Sequence, residues 1–154
     1  MTQPPAPSLP AATDGIQLRL GSWEELQGDA TPIRFEVFVD EQGVPPEIEL
    51  DDMDPICLHA VAYDAQGVAL GTGRLLPDGH IGRMAVRQPA RGTGLGGQLL
   101  QALVEAGLRQ GHTALILHAQ CHARSFYERH GFQAEGEPFQ EAGIAHITMV
   151  RRSR

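Results

Sequence analysis

A glycine-rich stretch in the second half of the chain carries residue types suited to holding a phosphate group. Residues 91–97 read Arg-Gly-Thr-Gly-Leu-Gly-Gly, so four glycines leave backbone amides uncovered by side chains. The stretch follows a short apolar run, residues 81–86, and apolar positions repeat with helical spacing from Leu95 onwards. The amides are therefore expected at the positive end of a helix dipole, with Arg91 beside them, which predicts a phosphate site.

Two common phosphate motifs are excluded, and one structural alternative stays open. The chain contains no lysine, so it cannot carry the Gly-Lys-Ser/Thr of a P-loop. The dinucleotide fingerprint needs another glycine spacing and an acidic residue about 20 residues further on. Residues 111–122 contain neither Asp nor Glu. A glycine loop can also be no more than a tight connection between a strand and a helix.

A second stretch with chemical potential lies downstream. Residues 114–120 form an apolar run of strand length, and residues 123–132 read Ala-Arg-Ser-Phe-Tyr-Glu-Arg-His-Gly-Phe. Because the unperturbed pKa of a tyrosine hydroxyl is about 10, Tyr127 is suited to donating a proton at neutral pH rather than to accepting one. The alternative is a core tyrosine that packs a helix on the sheet.

Length and composition limit the classes of function. The 154 residues suit one domain, and 42% hydrophobic with 20% charged residues is ordinary for a globular protein. No apolar run approaches the roughly 20 residues of a membrane span, and the net charge of −7 argues against nucleic acid as a partner. Residues 1–14 are rich in Pro and Ala and lack a signal-peptide pattern, so we expect a disordered tail before one domain at 15–154.

Cysteine and histidine usage indicates a reduced setting without a resident metal. Cys57 and Cys121 form neither a disulfide framework nor a close pair, so a cytoplasmic location is expected. The seven histidines are scattered, and the closest pairs lack a thiolate or carboxylate at ligand spacing. No metal site is predicted.

Charge is unevenly distributed along the chain. The acidic segment, defined as residues 34–54, holds eight carboxylates and one arginine, which equals the whole net charge of −7. By contrast, Arg83, Arg87 and Arg91 lie in a stretch, residues 79–104, that contains no acidic residue. We therefore expect a cationic end for phosphate and a separate anionic lip that attracts a cation.

Periodicity and turn residues predict the elements that position these stretches. Ser22 with Glu25 is typical of a capping box, and Thr31-Pro32 predicts a second helix start. Further helices are predicted at 95–109 and 122–130, and a tight turn at 141–143. The predicted strands cover residues 16–20, 56–63, 68–76, 81–86, 113–119, 132–139 and 144–151. This order predicts a mixed α+β fold.

Taken together, the two chemical motifs resemble those of the GNAT superfamily of N-acetyltransferases. Arg-x-x-Gly-x-Gly, present at residues 91–96, is similar to the family's acetyl-CoA pyrophosphate loop. Residues 123–132 resemble the family's Ala-x-x-aromatic-Tyr-x-x-x-Gly-Phe helix, in the expected order. The resemblance covers about residues 16–151. It implies a mixed, mostly antiparallel sheet with a splayed parallel pair and helices on both faces.

The resemblance also implies acetyl-CoA as co-substrate and a set of residues that bind it. Backbone groups of residues 84–86 would meet the pantetheine, and the amides of residues 91–97 would hold the pyrophosphate with added charge from Arg91. Gln120 stands where many members have Asn and retains an amide. Arg83 and Arg87 would meet the 3′-phosphate or merely solvate the surface. The implied set is Met84, Ala85, Val86, Arg91, Gly92, Thr93, Gly94, Leu95, Gly96, Gly97, Gln120, Ala123 and Phe126.

Tyr127 matches the family tyrosine that protonates the departing CoA thiolate, which implies direct attack by a primary amine in a ternary complex. An alkylammonium of pKa ~10.4 must first lose a proton, at roughly 4–5 kcal/mol near neutral pH. Glu41 is the first candidate to accept that proton, then Glu49, with His146 and His59 behind. Each of the four is otherwise a solvated acid or a satisfied core histidine.

Residues 34–45 and 142–146 resemble a narrower group, the small bacterial ElaA/YjcF-like acetyltransferases, whose acceptors are poorly defined. The expected partner is a cationic small-molecule or peptide amine, rather than a membrane. Sharing of the apolar last strand would allow a homodimer. Two alternatives stay open: a non-catalytic module that binds CoA or acyl-CoA, and an acyltransferase like the acyl-homoserine lactone synthases, suggested by Arg34-Phe35-x-x-Phe38.

Overall fold

The computed structural model describes residues 15–153, so the expected tail at residues 1–14 lies outside the described residues. Within that range seven strands form one sheet: β1 Gln17–Gly21, β2 Leu58–Tyr63, β3 Ala69–Leu75, β4 His80–Val86, β5 Ala114–Gln120, β6 Gln133–Glu141 and β7 Ile144–Arg152. The strand order is β1-β2-β3-β4-β5-β7-β6, and of these neighbours β4 and β5 alone run parallel. The predicted mixed, mostly antiparallel α+β sheet is confirmed.

Helices cover both faces of the sheet. They are α1 Trp23–Arg34, α2 Pro46–Glu49, α3 Leu95–Arg109 and α4 Arg124–Glu128, with a π-helical segment at Phe35–Glu41. Side chains alternate along β2: Val61 packs with Ile33 of α1, whereas Ala60 and Ala62 pack in the same cluster as Leu99 of α3. α1 and α3 therefore lie on opposite faces, as predicted. No helix among residues 15–153 is long and apolar enough to cross a membrane.

The parallel strands β4 and β5 diverge soon after they meet. In the described structure their pairing is confined to His80 with Ile116 and Ile81 with Leu117. The register of β4 against β3 also shifts, and Arg83 has a φ of 50°, a left-handed value that marks a bulge. Residues 84–86 consequently pass β5 without a strand partner on that side. The predicted splayed parallel pair is confirmed.

The second helix start expected at Thr31-Pro32 is wrong. Ser22 caps α1 with both hydrogen bonds of the capping box, but the helix then continues through the proline. Leu26 and Ile33, on either side of the proline, are completely buried against the sheet, and this packing stabilises one helix despite the lost hydrogen bond. The backbone changes only afterwards, into the π-helical segment Phe35–Glu41.

Other boundaries differ by a few residues. The helix expected at 122–130 is a 3-10 turn at Cys121–Ala123 followed by the short α4, and Gly131 with a φ of 89° ends this region. The strand expected from residue 56 begins at Leu58, because Asp54–Ile56 forms another 3-10 turn. Helix α3 matches its predicted bounds, and Gly111 follows it with a φ of 94°.

A buried ion network ties the acidic segment to α1 and β3. Arg34 is 1% exposed and donates to Glu49 at 2.9 Å and to Asp54 at 2.8 Å. Arg74 donates to Asp54 at 2.7 Å and to Asp51 at 2.7 Å. The Arg74 bond lowers the pKa of Asp51 to about 2. Burial works to raise the pKa of Asp54, but the bonds from the two arginines hold it below its usual value.

Replacing Asp54 should therefore destabilise the fold strongly. We expect Asp54→Ala to lower the free energy of unfolding by about 3–5 kcal/mol, because Arg34 and Arg74 would stay buried without their shared carboxylate. Urea unfolding measures the change. Asp52→Ala is the matched control, since Asp52 is exposed, and it should change stability by less than about 0.5 kcal/mol. Equal stabilities of the two variants would contradict the structural role of the network.

Candidate active site

Two cavities open where β4 and β5 diverge. The histidine cavity, of about 860 Å³, is named for the four imidazoles in its wall, His80, His118, His122 and His146. The glycine cavity, of about 810 Å³, is named for Gly92, Gly94, Gly96 and Gly97. Five residues line both cavities, namely Met84, Ala85, Val86, Arg91 and Tyr127. The two cavities therefore meet along the end of β4 and at one tyrosine.

The glycine cavity is built from the start of α3. Gly92 and Gly94 have φ values of 79° and 88°, which glycine adopts without strain, and they turn the chain from β4 into the helix. The first amides of an α-helix have no acceptor within the helix, and α3 has no side-chain cap from the described residues. Amides and helix dipole together favour an anion here. Leu95 is buried in the core, so its backbone is what the cavity can use.

Thr93 braces this loop from within. Its hydroxyl donates to the carbonyl of Ala90 at 2.5 Å, which closes the turn before α3. The hydroxyl is thereby used to hold the loop in shape. Gly97 lies against the turn that follows α4, since a Cβ placed there would lie 3.0 Å from the His130 ring. The predicted loop residues therefore lie together: the four glycines line the cavity, whereas Thr93 and Leu95 hold the loop in place.

Arg91 lies at the junction of the two cavities. Its Nε donates to the carbonyl of Val86 at 2.8 Å, and a terminal nitrogen donates to Glu41 at 2.6 Å. Glu41 belongs to the π-helical segment and lines the histidine cavity. The predicted phosphate-binding arginine and the first predicted base are therefore partners in one ion pair.

The expected separation of a cationic end from an anionic lip is wrong. Each of the three arginines assigned to the cationic end contacts a carboxylate of the acidic segment. The pairs are Arg83 with Glu49 and Asp51, Arg87 with Glu36, and Arg91 with Glu41, at N–O distances of 2.6 to 3.4 Å. The π-helical segment packs beside β4, so charges that are remote in sequence meet in space.

Tyr127 projects from α4 into the junction of the cavities. Its ring contacts Phe126 at a centroid distance of 5.0 Å and Phe132 at 6.2 Å, both edge-on. Burial raises the pKa of the hydroxyl to about 12, so the group is protonated at neutral pH. Phe126 lines the glycine cavity and Ala123 the histidine cavity. The arrangement places a protonated tyrosine between the two cavities.

Gln120 ends β5 on the wall of the histidine cavity. Its Nε2 donates to Oε1 of Gln42 at 2.8 Å, and its Oε1 lies 2.7 Å from Nε2 of His122. Gln42 follows the π-helical segment, so this amide pair bridges the mouth of the gap between the strands. Sequence reasoning missed Gln42, because no local pattern relates it to a residue 78 positions away.

Three of the four acceptor-side candidates line the histidine cavity: Glu41, Glu49 and His146. Glu49 is 2% exposed, and burial raises its pKa although the hydrogen bond from Arg34 and the charge of Arg83 act in the opposite direction. The Nδ1 atom of His146 lies 2.7 Å from a backbone carbonyl, and its ring is nearly buried.

The fourth candidate, His59, lies elsewhere. It sits on the α1 face of β2, stacks near Trp23 at 4.8 Å, and lies outside the lining of both cavities. Its Nε2 is 2.9 Å from the carbonyl of Asp54, and burial lowers its pKa, which favours the neutral ring. The structure therefore gives His59 a place in the core.

One side-chain pair in the histidine cavity was not anticipated. Nδ1 of His118 lies 3.0 Å from a carboxylate oxygen of Glu141, and both residues line the cavity. They belong to β5 and β6, which are separated in the sheet by β7. No spacing in the sequence could reveal this contact. Within residues 15–153, no three His, Cys, Asp or Glu side chains are grouped so as to hold a metal ion.

Comparison with known proteins agrees with this geometry. Residues 28–153 match the family described as "Acetyltransferase (GNAT) domain". The chain is 39% identical over 132 residues to the "Uncharacterized N-acetyltransferase YjcF" of Bacillus subtilis (strain 168), covering 83% of this chain and 94% of the relative.

Two solved structures are similar over nearly their whole length. An acyl-CoA N-acyltransferase from Pseudomonas aeruginosa has a TM-score of 0.79 at 33% identity, covering 89% of this chain and 99% of that one. Escherichia coli ElaA has a TM-score of 0.80 at 27% identity, covering 88% of this chain and 99% of that one. With its fold, its paired cavities and these relatives, the chain belongs to the GNAT family and is an acyltransferase.

Proposed function

We propose that the protein transfers the acetyl group of acetyl-CoA directly to a primary amine while both substrates are bound. The observation that carries the proposal is that Tyr127 and residues 84–86 line both cavities. A thioester lying along the end of β4 would have a protonated hydroxyl beside it. The thioester would lie between the glycine cavity, which suits an anion, and the histidine cavity, which is rich in carboxylates and imidazoles.

The glycine cavity would hold the nucleotide end of acetyl-CoA. The amides of residues 92–97 and the guanidinium of Arg91 would bind the pyrophosphate, since both attract oxyanions. The pantetheine would lie beside residues 84–86, where β4 no longer pairs with β5, with Phe126 and Ala123 on either side of the junction. The amide of Gln120 would face it from β5.

The chemical step requires a neutral amine and a stabilised leaving group. The amine nitrogen attacks the thioester carbonyl carbon, a C–N bond forms and the C–S bond breaks. Tyr127 gives its hydroxyl proton to the departing thiolate, as a general acid. Glu41 is the sequence-based candidate for taking the proton of the acceptor ammonium, but Arg91 holds its carboxylate in the described structure. A pyrophosphate bound at Arg91 would compete for that guanidinium.

The acceptor that suits the histidine cavity is a cationic primary amine. Four carboxylates line this cavity: Glu41, Glu49, Asp78 and Glu141. Arginines neutralise the first two, whereas the last two lie 3.0 Å from histidine rings. A carboxylate that contacts an imidazole rather than a guanidinium can attract an ammonium group. This applies to a small amine and to the amine of a peptide.

Tyr127→Phe should abolish most of the transfer without weakening cofactor binding. With a panel of primary amines and acetyl-CoA, we expect thiol release that depends on the amine, and a kcat at least about 10²-fold lower in the variant. Tyr63→Phe is the control, because Tyr63 hydrogen-bonds Asp29 away from both cavities. Binding of acetyl-CoA without thiol release from any amine would instead indicate a non-catalytic CoA-binding module.

Arg91→Ala should weaken the binding of CoA. Loss of one charge-assisted contact corresponds to about a tenfold or larger rise in Kd. Isothermal titration with CoA measures it. Arg124→Ala is the matched control, since Arg124 pairs with Glu128 on the surface of α4 outside both cavities. Identical dissociation constants in both variants would remove the pyrophosphate assignment.

Both tyrosines of the chain should ionise only at high pH. Burial raises the pKa of Tyr127 to about 12, and burial with the Asp29 bond does the same for Tyr63. Because folding raises both values, these groups contribute stability below a pH of about 10 that is lost as the pH rises towards 12. Absorbance of tyrosinate in Tyr63→Phe isolates Tyr127. A native midpoint near a pH of about 10 would show that the Tyr127 hydroxyl is not desolvated as the raised pKa requires.

A further inference from the structure

A row of rings crosses the wall of the histidine cavity. His80 of β4 meets His118 of β5 at a centroid distance of 6.1 Å, and His118 meets Phe139 of β6 at 5.1 Å. Phe139 in turn stacks on His146 of β7 at 6.0 Å. His80 directly precedes and His118 directly follows the last residue pair between β4 and β5, Ile81 with Leu117, so both rings lie where the strands part.

The alternation of β5 directs His118 into the cavity. Leu117 and Ala119 are buried in the cluster beneath α3, so His118 and Gln120 lie on the opposite face. The His118 side chain is 42% exposed, and the cavity that it lines is also lined by Tyr127. The imidazole and the tyrosine therefore border the same cavity.

Glu141 sets the orientation of that imidazole. Its carboxylate lies 3.0 Å from Nδ1, so Nδ1 carries the proton and donates it to the carboxylate. In this tautomer Nε2 carries the lone pair, and the ring lines the cavity. Glu141 is itself fixed by the tight turn between β6 and β7, in which Ala142 and Gly143 have φ values of 53° and 79°.

We propose that His118 takes the proton from the acceptor ammonium and that Glu141 is its positioning residue; this rests on the proposed function. Nε2 of His118 accepts one proton from the ammonium, and the free amine attacks the thioester carbonyl. The C–S bond breaks, the thiolate takes the Tyr127 proton, and the second proton of the new amide nitrogen restores the tyrosine. The imidazolium then gives its proton to water, so that one proton is released per turnover.

Other groups of the cavity are less free to do this. Arg91 holds Glu41, and Arg34 and Arg83 surround Glu49. His146 is 7% exposed and stacked on a ring. The charged or titratable groups that line the cavity with His118 are Glu141 from β6, His80 and its partner Asp78 at β4, His146 from β7, His122, Tyr127, Glu41, Glu49, Arg74, Arg83 and Arg91.

The pH dependence of His118→Gln tests the assignment. With an alkylamine that the unmodified protein acetylates, we expect kcat about 10²-fold lower near neutral pH and an unchanged KM for acetyl-CoA. The deficit should shrink as the pH rises towards the amine's own pKa of about 10.4, because solvent then removes the ammonium proton. His112→Gln, a histidine outside both cavities, is the control and should keep the full rate.

Glu141→Gln should show a smaller deficit with the same pH dependence, since an amide supports the ring less firmly. Glu135→Gln is its matched control: Glu135 lies on the same strand with the same 44% side-chain exposure, but pairs with Arg152. Full activity of His118→Gln, or a deficit that is constant with pH, would overturn the assignment while leaving the proposed function intact. Absence of amine-dependent thiol release from the unmodified protein would overturn both.

Discussion

The early parting of two parallel strands is the constraint on which the rest of this molecule depends. β4 and β5 share two residue pairs and then separate, although buried backbone groups normally require hydrogen-bond partners. Elements pack on both sides of the gap: α3 contacts β4 and α4 contacts β5, and on the other side Val37 of the π-helical segment joins the cluster that holds Ala85. The end of β4, which pairs with β3 but no longer with β5, becomes the wall that both cavities share.

Arg74 of β3 and Arg83 of β4 bind carboxylates of the acidic segment and hold it against the sheet. Arg34, Arg74 and Arg83 together balance Glu49, Asp51 and Asp54, so the network carries no net charge. Burying ion pairs contributes little net stability, because desolvation offsets most of the attraction. Its value here is geometric: Arg83 adopts a left-handed φ of 50° while donating to the Glu49 carbonyl and to Asp51, so one bulged residue of β4 is fixed from outside the sheet.

Features governed by neighbouring residues were predictable from the sequence, and features created by packing were not. The glycines before α3, the cap at Ser22 and the turn at residues 141–143 follow from local backbone preferences, and all three form as expected. The helix start predicted at Thr31-Pro32 was wrong, because buried side chains on both sides of Pro32 outweighed the hydrogen bond that proline cannot make. The Arg91–Glu41 and His118–Glu141 contacts join residues far apart in the chain, so only the folded sheet brings them together.

The two cavities share one cation, Arg91, and one hydroxyl, that of Tyr127. Under the proposed function these two groups connect the cofactor site with the acceptor site. Arg91 is held by the Val86 carbonyl on one side and by Glu41 on the other, so an anion in the glycine cavity and a carboxylate in the histidine cavity draw on the same guanidinium. Tyr127, half-buried between them and protonated at neutral pH, has no charge to add to either. Under the proposed function, charge therefore rearranges at Arg91, whereas proton transfer takes place at Tyr127 and on the opposite wall.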